Sequence, residues 1–147
     1  MTQITIKTES SFPAKGELSE YGFTFSYSEA EDEAVLFDLS QDFCSKLVPK
    51  EPVGSFFKEL RKIDLQKLLW EEEKIRRADG FYLIVEISSD SRNLSLELNN
   101  PSMQIYKDDG CEESFKFLEL VQKMTKFAKE QGVDFELEEE LGNGLSH

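Results

Sequence analysis

The chain has 147 residues, 30 Asp and Glu against 17 Lys and Arg, a formal net charge of −13, and a single histidine at its last position. A surface this negative repels polyanions, because every phosphate contact needs a cation or a backbone donor, so direct nucleic-acid binding is not expected. With no internal histidine, Ser-His, Cys-His and His-metal arrangements lack their central member.

The length suits one domain burying roughly 68–70% of its unfolded surface, read as residues 1–141 with a tail over 142–147. Hydrophobic residues make up only 39%, but 12 Phe within a 12% aromatic share supply bulk to the core. No run approaches the ~20 apolar residues of a membrane span, and the Met1-Thr2-Gln3-Ile4 opening has neither a basic nor an apolar signal region. A cytoplasmic protein away from membranes is the expectation. Cys44 and Cys111 lack metal or redox spacing and read as reduced structural residues.

In chain order, Ile4-Thr5-Ile6-Lys7 reads as a short strand, and residues 10–20, with Pro13 and Gly16, as a loop. Phe23, Phe25 and Tyr27 alternate with small hydroxyls, the period of a half-buried antiparallel strand. An acidic turn over 29–33 leads into a third strand over 34–39. Ser40 is placed to cap a short helix through Leu47 that Pro49 and Pro52 would stop. Phe56, Leu60, Ile63, Lys67 and Trp70 then step by four, three, four and three, an amphipathic helical stripe. Asp64 offers an alternative cap for a separate helix over 65–77, with Gly80 as a stop. Glu71, Glu72 and Glu73 lie at helical spacing from Lys74, Arg76 and Arg77 and read as a solvated face.

Residues 81–87 and 94–98 form the clearest hairpin, joined by Ser89-Asp90-Ser91-Arg92. Asn99-Asn100-Pro101 turns the chain into Met103-Gln104-Ile105-Tyr106, read as a third strand. Asp109 and Glu112 resemble a capping box, and Phe117, Leu120, Met124 and Phe127 define a helix ending at Gly132. Phe135 and Leu137 suggest a last short strand. Two strand triplets each followed by helix raise an internal βββα duplication, although the segments share no motif. The fold class is α+β: an antiparallel sheet of about five to seven strands with two main amphipathic helices packed on one face.

Chemistry is marked by what is missing. The sequence holds no G-x-x-x-x-G-K-[ST] and no G-x-G-x-x-G, so no phosphate-cradling loop or nucleotide cofactor is expected. Asp108-Asp109-Gly110-Cys111-Glu112-Glu113 lacks EF-hand spacing and reads as a helix start, so no metal is expected. Cys44 has no histidine base, and no catalytic residue stands out. Charge is uneven: residues 1–45 carry nine acids against two bases, 46–77 six against nine, and 78–147 fifteen against six. The acidic runs at 29–33 and 136–140 could steer a basic partner.

The expected function is therefore non-enzymatic: an acidic protein-binding domain, of the inhibitor or immunity type, that neutralises a basic protein. Its partner-binding residues are read as Tyr27, Glu29, Glu31, Asp32 and Glu33. In composition the chain also resembles small acidic α+β secretion-type chaperones, which act as dimers, so a homodimer stays open. Those chaperones usually open with a helix, whereas this chain opens with Ile4-Thr5-Ile6. A carboxylate-dependent enzyme is the third reading, with no motif behind it.

Overall fold

A computed structural model describes residues 1–10, 20–39, 45–75, 81–135 and 137. Six strands form one sheet in the order β4-β3-β2-β1-β5-β6, and every neighbouring pair is antiparallel. The strands are β1 (Thr2–Ser10), β2 (Glu20–Tyr27), β3 (Glu33–Asp38), β4 (Ser45–Pro49), β5 (Phe81–Ser88) and β6 (Asn93–Asn99). Among the described residues the helices are α1 (Glu51–Leu60), α2 (Leu65–Lys74), α3 (Met103–Asp108) and α4 (Glu112–Glu130). Among the described residues no helix is long and apolar enough to cross a membrane.

The strands form where alternation supplies one apolar face. Ile4, Ile6, Phe23, Phe25, Ala34, Leu36, Leu83, Val85, Leu96 and Leu98 are buried in one cluster with Val53, Phe56 and Leu68 of the α1–α2 pair and Phe117, Leu118, Val121 and Met124 of α4. Helices therefore cover one face of the sheet, as an antiparallel sheet with a single apolar side requires. The aromatic residues lock the two layers together: Phe25 stacks on Phe127 with centroids 5.8 Å apart, and Phe23 meets Phe135 edge-on at 5.7 Å. Gly22 sits where β2 and β1 approach so closely that a Cβ would lie 2.1 Å from the Ile6 carbonyl oxygen.

Several local readings are corrected. Instead of a helix running to Leu47, residues 45–49 form the edge strand β4 beside β3, whereas residues 40–44 lie outside the described set. Pro52 starts α1 rather than stopping a helix, since its missing N–H costs nothing in a first turn. Asp64 does divide the long stripe: its carboxylate accepts from the Lys67 N–H at 3.1 Å and begins α2 in a new phase. Leu68 and Glu71 then face inward, and Trp70 turns outward to 59% exposure beneath the Lys74 ammonium.

Met103-Gln104-Ile105-Tyr106 is helical, not a strand. The Ser102 hydroxyl accepts from the Ile105 N–H at 3.3 Å, and Gln104 donates to Asp108 at 2.8 Å, so cap and i,i+4 pair outweigh the short alternation. Asn100, at φ 46°, makes the preceding turn and exchanges two hydrogen bonds with Phe81. Losing that strand removes the second triplet, so the described residues run four strands, two helices, two strands, two helices, with no βββα repeat among them. Finally, the short strand expected at Phe135 and Leu137 is not formed: residues 133–135 are irregular and Leu137 is helical, whereas residue 136 lies outside the described set, and Val133, Phe135 and Leu137 are buried.

Candidate functional site

Glu29, Glu31 and Asp32 sit on the connection between β2 and β3 and Glu33 is the first residue of β3, at the end of the sheet where α1 begins. The Glu31 N–H donates to the Ser28 carbonyl at 3.1 Å, closing a turn. Lys50, at the start of α1, reaches across and donates from Nζ to the backbone carbonyls of Glu29 at 3.1 Å and Glu31 at 3.0 Å. A cation thus holds the backbone of the turn without consuming its side chains. Glu29, Glu31, Asp32 and Glu33 are all exposed, and none has an ion-pair partner among the described residues.

Tyr27 closes the foot of this turn. Its half-buried ring packs against Phe57 of α1 with centroids 5.9 Å apart. Burial pushes its phenol above the ordinary value of 10.0, the Glu29 carboxylate adds to the rise, and the Arg61 cation opposes it. The phenol is therefore a neutral hydrogen-bonding group at physiological pH. All five residues read from the sequence as partner-binding are local to one turn. Of the other tyrosines, Tyr21 lies at the far end of β2, Tyr82 pairs with Glu9 at that same distant end, and Tyr106 is buried. Of the second acidic run, residues 136 and 138–140 lie outside the described set.

A second carboxylate group escaped the sequence reading. Cys111 occupies the cap position of α4 with no side-chain hydrogen bond, so Asp109 and Glu112 do not form a capping box. Glu71 of α2 supplies the missing acceptor: its carboxylate takes the Glu113 N–H at 3.0 and 3.2 Å and the Ser114 N–H at 3.4 Å. Glu113 returns the arrangement by accepting the Asp64 N–H at 2.9 Å, at the start of α2. Glu72 accepts from the Tyr106 hydroxyl at 3.0 Å and the Ser114 hydroxyl at 2.7 Å. Glu71 and Glu72 are thus structural acceptors joining α2, α3 and α4, not the solvated face expected of them. The available signal was Glu71 at three residues from Leu68, on the inward side of α2.

These acids are consumed by helix ends and hydroxyls, which suits cross-capping and leaves no vacant reactive pair. No group of His, Cys, Asp and Glu among the described residues is arranged to hold a metal. Cys111 is buried, and that burial pushes its thiol above 9.0, with Glu71, Asp109 and Glu72 adding to the rise and Lys74 opposing it. Such a thiol stays protonated and unreactive at neutral pH. Cys44 lies outside the described residues.

Fold and site together define an acidic α+β fold with a carboxylate turn whose backbone carbonyls are hydrogen-bonded by Lys50. Compared with protein-family models, curated proteins and solved structures, the chain matches none.

Proposed function

We propose that this chain is a non-enzymatic protein-binding domain of the inhibitor or immunity type, whose acidic turn captures a basic protein. The observation that carries the reading is the turn itself: four exposed carboxylates within five residues, on a backbone clamped by Lys50. A preordered cluster of like charge attracts a cationic surface over about a Debye length, ~8 Å at physiological salt, and raises the association rate. Tyr27 adds a neutral aromatic anchor, the residue type that supplies affinity where charge supplies speed. In a cationic cleft that binds phosphates, the four carboxylates would take the phosphates' place.

The test is capture from cytoplasmic lysate on immobilised protein at low and high salt, run beside a Glu31→Lys, Asp32→Lys, Glu33→Lys variant. The reading expects a basic protein held by the wild type, released by salt and ignored by the variant. The same proteins on both resins would remove the turn as the binding site.

A further inference from the structure

Strand β6 forms one edge of the sheet, and its backbone is open on the side away from β5. Two hydrogen bonds bound the ladder between them, from the Ser89 N–H to the Arg92 carbonyl at 2.8 Å and from the Asn100 N–H to the Phe81 carbonyl at 2.9 Å. Antiparallel bonding alternates, so Leu94, Leu96 and Leu98 turn their backbone groups toward β5. The N–H and C=O groups of Asn93, Ser95, Glu97 and Asn99 therefore point outward past the edge, and no partner among the described residues takes them. The opposite edge is guarded against pairing: β4 has only five residues, carries Lys46 and ends at Pro49. β6 has neither lysine nor proline, and its seven residues pair with β5 without a bulge.

We propose that β6 is the seam of a homodimer, pairing antiparallel with β6 of a second copy about a two-fold axis at Leu96, so that two six-stranded sheets become one. The strand's own sequence selects the occupant. Asn93-Leu94-Ser95-Leu96-Glu97-Leu98-Asn99 reads the same in both directions apart from Ser95 and Glu97. An isologous antiparallel contact sets a strand against its own reverse. Asn93 then faces the partner's Asn99, Leu94 the partner's Leu98, Ser95 the partner's Glu97, and Leu96 its own counterpart. This register pairs all seven residues and joins the outward backbone groups of Ser95 with those of the partner's Glu97, and of Asn93 with those of the partner's Asn99. An axis at Glu97 would oppose two carboxylates, and an axis at Ser95 would run the pairing into the turn at Arg92. Glu97 is the one charged residue of β6, and it meets a serine hydroxyl. Leu94, 37% exposed, gains the cover of the partner's Leu98. The acidic turns stay clear: β3 lies four strand spacings from β6, roughly 19 Å, against a Debye length of about 8 Å at physiological salt. One strand pair is narrower than the ~800 Å² that each partner gives a standard interface, so the dimer is weak and reversible.

The decisive experiment is sedimentation equilibrium of the full chain over a concentration series reaching about 1 mM. The mass should rise from the 16.9 kDa of one chain toward twice that value. Ser95→Glu opposes carboxylates at two symmetric positions across the seam and should weaken self-association roughly tenfold. Adding Glu97→Lys to that variant turns both contacts into Glu–Lys pairs and should restore the dimer. Ser95→Pro removes an outward N–H and none that β5 uses, and should abolish the dimer. Leu47→Glu, at an exposed position on the opposite edge strand, should leave it unchanged. Circular dichroism verifies that each variant is folded. A monomer at every concentration overturns the proposal, as does a dimer that folded Ser95→Glu and Ser95→Pro leave intact or that Leu47→Glu abolishes. The turn at 29–33 remains exposed in this dimer, so capture of a basic protein succeeds or fails independently.

Discussion

The carboxylate of Glu71 is only 4% exposed and serves as the N-terminal cap of a helix in another part of the chain. Replacing it tests whether this cross-cap holds α2 against α4. Glu71→Ala leaves the Glu113 and Ser114 N–H groups without their acceptor, and a buried donor left unsatisfied costs about 1–3 kcal/mol. The helix dipole also loses its compensating negative charge, worth about 0.3–1 kcal/mol. Relief of a buried carboxylate offsets part of this, so the net loss is about 3 kcal/mol. For a chain of this length each kcal/mol shifts the thermal midpoint by about 2–4 °C, giving a fall of about 6–12 °C. Glu71→Gln keeps one acceptor oxygen and loses the charge, so it should cost only about 1 kcal/mol. Urea denaturation followed by circular dichroism gives the two free energies, and hydrogen exchange at the Glu113 and Ser114 amides localises them. Equal costs for Gln and Ala, or a loss below about 0.5 kcal/mol for Ala, would refute the cross-cap.

Three further predictions concern the scaffold. Gly22→Ala places a methyl group 2.1 Å from the Ile6 oxygen and 2.6 Å from the Lys7 Cα, both backbone atoms, and should cost about 3 kcal/mol or more of unfolding free energy in urea titration. Phe117→Ala should cost about 3–5 kcal/mol in the same assay, whereas Trp70→Ala, on the outer side of α2, should stay within about 1 kcal/mol, chiefly its contact with Lys74. Stability should decline at alkaline pH. Cys111 and Tyr27 both hold their protons more tightly when folded, so their contributions are complete below 9.0 and 10.0 and are lost as pH rises through the elevated folded values. Cys111→Ala should remove the part of that decline that begins near 9.0 in pH-dependent denaturation curves.

What the sequence disclosed follows the strength of its periodicity. The β5–β6 hairpin and α4 were legible because each repeats one period long enough to bury a face. β4 was not, because Pro49 and Pro52 read as helix stops when one ends a strand and the other begins α1. Trp70 matched the stripe of Phe56, Leu60 and Ile63 only on the assumption of one continuous helix, and the Asp64 cap resets the phase. The turn at 29–33 was legible as a cluster of acids, but its tie to Lys50 was not. Lys50 lies 21 and 19 residues from the carbonyls it clamps, a proximity created by the pairing of β3 with β4. The Glu71 cap was hidden for the same reason, since its partners are 42 and 43 residues away.

The central claim is that the turn over 29–33 attracts a basic protein by charge, and the association rate measures this directly. With the captured partner purified, stopped-flow mixing should give a rate constant that falls steeply as ionic strength rises for the wild type. The Glu31→Lys, Asp32→Lys, Glu33→Lys variant should associate at least about tenfold more slowly at low salt, with a flattened dependence. Equal rates and equal salt slopes for the two proteins would contradict the account.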